Sequence, residues 1–93
     1  MGISVNEYFE GRVKSLGFES EGRQFTAGVI RPGEYTFSTS KQEILTVTRG
    51  SLEFTLPGQK TQTKAQGQTI TIPAGLEFQV KAAAGSSYIC EYV

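Results

Sequence analysis

The chain has 93 residues, in which nine Lys and Arg balance nine Asp and Glu, so it has the size of one small domain without net charge. Binding to nucleic acids or anionic membranes requires an excess of basic residues, which this chain lacks. The chain also contains no histidine, the residue that most often serves as a general base or a metal ligand. The single cysteine, Cys90, excludes an internal disulfide and a cysteine-rich zinc site. Because no apolar run has the length of a signal peptide or spanning helix, we expect one cytoplasmic domain over residues 1–93.

The predicted elements begin with a short helical turn at the N-terminus. Residues 4–7, Ser-Val-Asn-Glu, fit a capping box, and Gly11 would end the helix within two turns. Beyond it, glycines and prolines recur about every ten residues, which is typical of an all-β sandwich or barrel. Segments rich in β-branched and aromatic residues predict strands at 33–39, 43–48, 51–56, 68–72 and 87–93. The polar segment 58–67 predicts an edge strand or a loop.

Two spacings in the second half of the chain match the two sequence motifs of cupins. Six residues separate Glu43 from Gly50, and five separate Gly67 from the run Pro73-Ala74-Gly75. The glycines and the proline would form the tight turns at which the chain passes between the two sheets of a jelly roll. The sequence therefore predicts an all-β cupin, a double-stranded β-helix of jelly-roll type.

The metal ligands of cupins are largely missing from these motifs. Metal-binding cupins carry two histidines in the first motif and one in the second. The corresponding positions of this chain are Phe37, Thr39 and Phe78. Only the acidic ligand is retained, as Glu43. Since transition metals in proteins need three or four preorganised ligands, we expect no metal in the barrel.

A closer resemblance is carried by collinear segments that cover most of the chain. The most specific is Gly-Glu-Tyr-Thr-Phe-Ser-Thr at 33–39, followed by Asn-Glu-Tyr-Phe at 6–9. Further matching segments lie at 11–18, 22–23, 43–47, 77–78 and 87–92. In these segments the chain resembles the short cupins of the pyrimidine/purine nucleoside phosphorylase family, whereas residues 59–66 do not match.

The resemblance implies an activity and its ligands. Members of this family cleave purine and pyrimidine nucleosides with phosphate, giving the free base and pentose 1-phosphate. Nucleosides and phosphate would then be the ligands, phosphate being a co-substrate, with no cofactor, and the protein would be a homodimer. Phosphate is already nucleophilic at neutral pH, so this reaction needs positioning and electrostatic stabilisation rather than a histidine base.

Three residues are candidates for the catalytic groups. Arg23 presents a guanidinium fork that suits phosphate oxygens, although it is equally consistent with a solvated loop arginine. Glu43 would place a carboxylate inside the bowl, where it would favour positive charge on the sugar, unless it lies exposed at the start of its strand. Thr39 offers a hydroxyl for phosphate or ribose.

Five further residues are candidates for binding the substrate. By strand parity Tyr35 and Phe37 share the face of Thr39, which we expect to point into the barrel, whereas Ser38 lies on the other face with a second hydroxyl. Phe37, Phe78 and Tyr88 would form a wall on which different bases stack, or would simply fill the core. The same aromatic and hydroxyl groups would also suit a non-catalytic cupin that binds a sugar or a nucleotide.

Overall fold

The structure is a computed structural model that describes residues 2–93. It contains ten strands and, within this range, no helix. The strands are β1 (Ser4–Tyr8), β2 (Val13–Ser20), β3 (Arg23–Ile30), β4 (Gly33–Ser38), β5 (Glu43–Arg49), β6 (Ser51–Thr55), β7 (Gln62–Ala65), β8 (Thr69–Ile72), β9 (Glu77–Ala82) and β10 (Ser86–Tyr92). The predicted all-β class is confirmed, and no helix of residues 2–93 has the length and hydrophobicity needed to cross a membrane.

The strands form two antiparallel sheets. One sheet has six strands in the order β1-β2-β3-β10-β5-β8, and the other has four in the order β4-β9-β6-β7. Strands β3 to β10 alone give two four-stranded layers of jelly-roll topology, and the β1–β2 hairpin extends one edge. The predicted cupin fold is therefore confirmed. The unmatched polar segment supplies β7 at the edge of the smaller sheet, as predicted.

The predicted helical turn at the N-terminus is wrong. Residues 4–8 form β1, which pairs with β2 from Ser4 opposite Gly17 to Tyr8 opposite Val13. A helix this short is unstable by itself, whereas the strand satisfies its backbone groups on β2. Gly11, instead of ending a helix, donates its N–H to the carbonyl of Tyr8 at 3.1 Å and closes the hairpin turn.

The hydrophobic core lies between the two sheets. Strands β8 and β9 alternate exposed and buried residues, so each places one face against the core. On β10 the same alternation buries Cys90 and packs Tyr88 and Tyr92 against the core. The inward face of β10 therefore carries a thiol and two phenols, an unusual set for a core-facing strand.

Candidate functional site

A cavity of about 380 Å³ opens between the two sheets. Such a volume is within the range of sites for small organic ligands. The four-stranded sheet lines it mainly with apolar side chains, among them Phe37, Phe54 and Phe78. Among the described lining residues, the titratable groups all come from the six-stranded sheet, namely Tyr8, Glu43, Tyr88, Cys90 and Tyr92. The cavity therefore has an aromatic wall and a polar wall.

The aromatic wall is a set of rings in mutual contact. Phe78 stacks between Phe37 and Phe54, with centroid distances of 5.9 and 6.5 Å and interplanar angles of 26° and 28°. Phe9, from the β1–β2 turn, meets Phe37 edge-on at 5.4 Å. Such stacked and edge-to-face contacts stabilise the rings beyond their burial and hold them in fixed orientations.

The β1–β2 turn adopts a conformation that is rare for its residues. Phe9 and Glu10 have φ angles of 52° and 56°, in the left-handed region. This region is unfavourable for a bulky residue, at roughly 1–2 kcal/mol each. The turn nevertheless brings the ring of Phe9 to the cavity and within 5.0 Å of the ring of Tyr35.

The carboxylate of the polar wall belongs to Glu43, the first residue of β5. It is half-buried, and the thiol of Cys90 donates a hydrogen bond to its Oε1 at 3.4 Å. Loss of solvent raises the pKa of Glu43, and the hydrogen bond from Cys90 opposes this change. Burial and the nearby carboxylate also raise the pKa of Cys90, so the thiol keeps its proton at neutral pH.

Two phenols flank this pair on β10. Tyr92 lies opposite Glu43 in the strand register, and its hydroxyl lies 3.1 Å from the hydroxyl of Thr26. Burial raises the pKa of Tyr88 to about 12, so this phenol stays a hydrogen-bond donor at neutral pH. The polar wall therefore presents one carboxylate beside several protonated neutral groups.

The lining carries one formal charge. Among its described residues Glu43 is the only acid, and no Lys or Arg is present. Within residues 2–93 no group of three or more His, Cys, Asp or Glu side chains is arranged to hold a metal ion. Of these residue types, the described part of the lining contains Glu43 and Cys90 alone.

Comparison with known proteins assigns the family. The family model of pyrimidine/purine nucleoside phosphorylases matches residues 3–92. The chain belongs to this family. Curated relatives of that name, from Tolumonas auensis and Pseudomonas entomophila, are 45% and 47% identical over 91 residues; both alignments cover 97% of this chain, and they cover 98% and 97% of the respective relatives. A crystal structure from Vibrio parahaemolyticus, of a protein of unknown function, matches with a TM-score of 0.97 at 36% identity and covers both chains fully.

Five of the eight residues predicted for the site in this phosphorylase-family chain line the cavity: Phe37, Ser38, Glu43, Phe78 and Tyr88. Glu43 and Tyr88 lie in the polar wall, and the two phenylalanines stack on each other in the aromatic wall. Ser38 also contributes to the lining, although its side chain is exposed and lies on the face of β4 opposite Phe37.

Arg23 is not brought to the cavity. Its side chain is 68% exposed and forms an ion pair with Glu91 at 3.4 Å. On β3 the alternate residues Thr26 and Ile30 are buried, so Arg23 projects from the opposite face of the sheet. Its predicted contact with phosphate near Glu43 therefore has no geometric support within one chain.

Thr39 and Tyr35 point inward as strand parity predicted, but both serve the framework. The buried hydroxyl of Thr39 donates to the carbonyl of Pro73 at 2.7 Å and accepts from the N–H of Leu76 at 3.2 Å. The phenol of Tyr35 donates to the carbonyl of Arg31 at 2.7 Å. Neither residue contributes to the cavity lining.

The predictions from sequence missed Phe9, Ser15, Cys90 and Tyr92 as lining residues. Cys90 is buried on the last strand, and its contact with Glu43 depends on the pairing of β10 with β5. The alternation of Tyr88, Cys90 and Tyr92 was a usable signal, because residues two apart on a strand share a face.

Proposed function

We propose that this protein is a metal-independent nucleoside phosphorylase of broad base specificity. It would cleave purine and pyrimidine nucleosides with phosphate, releasing the base and pentose 1-phosphate. The observation that carries the proposal is the division of one cavity into an aromatic wall and a polar wall with a single carboxylate. A nucleoside is divided in the same way, into a flat base and a hydroxylated sugar. The names of the curated relatives support the same reaction.

The aromatic wall accounts for broad specificity. Phe37 and Phe78 offer ring faces, and every nucleobase has a π-face that stacks without regard to its hydrogen-bonding edge. No charged side chain of the described lining stands on this wall to select one base edge. Base recognition through stacking therefore admits purines and pyrimidines alike.

Glu43 would act on the sugar. As the bond from C1′ to the base nitrogen breaks and the bond from C1′ to phosphate oxygen forms, positive charge develops on the sugar ring. The ionised carboxylate of Glu43 stabilises this charge, and partial burial strengthens the effect because water screens it less. The carboxylate also accepts hydrogen bonds from sugar hydroxyls.

Phosphate requires a cation that the described lining lacks, and we infer that Arg12, which lies outside the lining beside the turn of Phe9, supplies it at the rim. Its Nε donates to the carbonyl of Phe9 at 3.3 Å, and its Cζ lies 5.5 Å from the centroid of the Tyr35 ring. The first contact attaches the guanidinium to the turn that carries Phe9 to the cavity, and the second places it over Tyr35 of β4, whose ring contacts that of Phe9. We therefore place phosphate at this rim, with Arg12 as its ligand in preference to Arg23.

The donors present support the proposed metal independence. The three cupin histidine positions are filled by Phe37, Thr39 and Phe78, of which Thr39 is engaged by the loop carbonyl of Pro73. One carboxylate and one protonated thiol do not make the three-ligand set that zinc, iron or manganese needs. Dialysis against a chelator should leave phosphorolysis unchanged, and loss of activity that added metal restores would contradict this part of the proposal.

The homodimer and the cytoplasmic location also remain proposals. The outer face of β1–β3 exposes Val5, Leu16 and Val29, and Val5 pairs with Leu16 in the strand register. Adjacent exposed apolar side chains are typical of an interface, and a second copy would cover them. Light scattering should give a dimer that Leu16→Glu dissociates; a monomeric wild type would contradict the dimer. Cell fractionation tests the location.

The decisive experiment separates catalysis from binding alone. Several purine and pyrimidine nucleosides are incubated with and without phosphate, and release of free base is measured. The proposal expects phosphate-dependent release from both classes, reduced about 100-fold in Glu43→Gln. Glu77→Gln is the matched control, since Glu77 is an exposed acid outside the cavity lining. Binding of nucleosides without phosphate-dependent release would instead identify a non-catalytic ligand-binding cupin.

A further inference from the structure

The β1–β2 hairpin, which lies outside the eight jelly-roll strands, adds hydrogen-bonding groups to the polar wall. The side-chain amide of Asn6, on β1, donates to the hydroxyl of Ser15, on β2, at 3.2 Å. Ser15 is 5% exposed and lines the cavity. Because its oxygen already accepts from Asn6, its own hydrogen remains available to a ligand.

Ser15 lies in a row that crosses four strands. In the strand registers Asn6 pairs with Ser15, Ser15 with Gly28, and Gly28 with Tyr88, so the row joins β1, β2, β3 and β10. Paired residues of antiparallel strands share a face, and this row therefore faces the cavity with Ser15 and Tyr88.

Gly28 makes room in the middle of this row. A Cβ on Gly28 would clash with the hydroxyl end of the Tyr88 ring, at its Cζ, Cε1 and hydroxyl oxygen. The ring therefore lies over β3 at Gly28, the residue that pairs with Ser15 in the strand register. Glycine within a strand commonly marks such a close approach, since any other residue would displace the ring.

We propose that this row of Asn6, Ser15 and Tyr88, seated over Gly28, is the surface that binds the pentose hydroxyls of the nucleoside. The proposal rests on the proposed function and specifies which part of the substrate the polar wall recognises. All three side chains are neutral and combine donors with acceptors, as sugar hydroxyls do, whereas an anion would call for a cation. The aromatic wall on the other sheet then remains for the base.

The position of Ser15 gives the proposal its energetic basis. Ser15 is 5% exposed, so its hydroxyl is poorly hydrated. A ligand that forms a hydrogen bond with this hydroxyl therefore displaces little bound water from it. A substrate analogue without the matching hydroxyl would leave the buried group without its partner. Discrimination of this kind is stronger than discrimination by apolar contacts.

The test measures binding of uridine and of uracil by calorimetry to three variants. Ser15→Ala and Tyr88→Phe should each weaken uridine binding about tenfold, because each removes one hydrogen bond, and should leave uracil binding within about twofold. Thr46→Ala is the control, because the hydroxyl of Thr46 is hydrogen-bonded to that of Thr69 and neither residue lines the cavity. Tyr88→Phe keeps the ring, so loss of fold does not explain its effect.

The outcomes distinguish this inference from the proposed function. Uridine binding that both variants leave unchanged, or uridine and uracil weakened alike, would overturn the pentose surface even if the wild type cleaves nucleosides. A wild type that binds uridine without cleaving it would overturn the phosphorylase proposal, while the variants still decide the surface. A wild type that binds no uridine would overturn the surface as well.

Discussion

The thiol of Cys90 donates to Oε1 of Glu43 at 3.4 Å, across the pairing of β10 with β5. Cys90 is 1% exposed, and its raised pKa keeps the proton on sulfur. The pair therefore consists of one neutral donor and one carboxylate that has lost part of its hydration. Removal of solvent raises the pKa of Glu43, and the thiol is the group that counteracts it. We therefore propose that Cys90 is a positioning residue for Glu43.

Replacing Cys90 should shift the acidic limb of the pH profile of kcat/KM, which is the range over which activity falls as the pH is lowered. In the proposed reaction, activity needs ionised Glu43 and should fall as the pH drops through its pKa. Cys90→Ala removes the hydrogen bond that lowers this pKa, so the limb should move to higher pH. Cys90→Ser keeps a donor and should restore a limb close to that of the wild type. The measurement is kcat/KM against pH for all three proteins.

A purely structural role for Cys90 makes a different prediction. It would lower the stability of Cys90→Ala without moving the limb. A limb that coincides in Cys90→Ala and wild type, with normal kcat/KM on the plateau, would contradict the positioning role.

Glu43 should destabilise the fold when it ionises. Its pKa is raised in the folded protein, so the folded state holds the proton more tightly than the unfolded state. Protonation of Glu43 therefore stabilises the folded state. This contribution is complete at a pH below the pKa of Glu43 in the unfolded chain, and it is lost as the pH rises through its pKa in the folded protein. Glu43→Gln cannot ionise, so its melting temperature should exceed that of wild type at neutral pH and converge with it in acid.

Thermal unfolding of both proteins across this pH range is the measurement. A Glu43→Gln protein that melts below wild type at neutral pH would show that the ionised carboxylate is satisfied in the fold. Higher stability together with lost activity would be the pattern of a residue kept for function.

The fold was largely predictable because its turns are marked in the sequence. The spacings that begin at Glu43 and Gly67 predicted the cupin fold, and they placed Glu43 and Phe78 inside the barrel, where both line the cavity. The N-terminal segment was misread because a capping box is a local signal, whereas β1 is stabilised by pairing with residues 13–17.

The remaining site residues depend on register, which the sequence did not specify. Arg23 projects away from the cavity because its parity on β3 opposes that of Thr26. Ser15 enters the site only because β2 pairs with β3 opposite Gly28, and no motif marks this contact. The predicted site differs from the observed one because strand pairing between distant segments decides which face of the sheet each side chain lies on.

Replacing Arg12 should raise the KM for phosphate much more than replacing Arg23. Arg12 is attached to the turn that carries Phe9, whereas Arg23 pairs with Glu91 on the outer face. Arg12→Ala should therefore raise the KM for phosphate about tenfold or more, since charge-assisted hydrogen bonds are the stronger ones, and Arg23→Ala should raise it far less. Initial rates at varied phosphate and saturating nucleoside decide between them. The reverse order would restore Arg23 as the phosphate ligand and imply a contribution from a second chain.

The aromatic wall should bind purines and pyrimidines by the same contacts. Phe37→Leu removes a ring that stacks on Phe78 at 5.9 Å, so KM should rise about five- to tenfold for adenosine and for uridine alike. Phe18→Leu is the matched control, because Phe18 stacks on Phe25 at 5.5 Å and neither ring lines the cavity. Both variants lose one stacked pair, and Phe37→Leu also loses edge-on contacts with Tyr8 and Phe9, so the melting temperature of each variant is measured beside its KM to separate the cavity from stability. An effect of Phe37→Leu on one class of nucleoside alone would mean that the wall reads base edges, and it would contradict recognition by stacking.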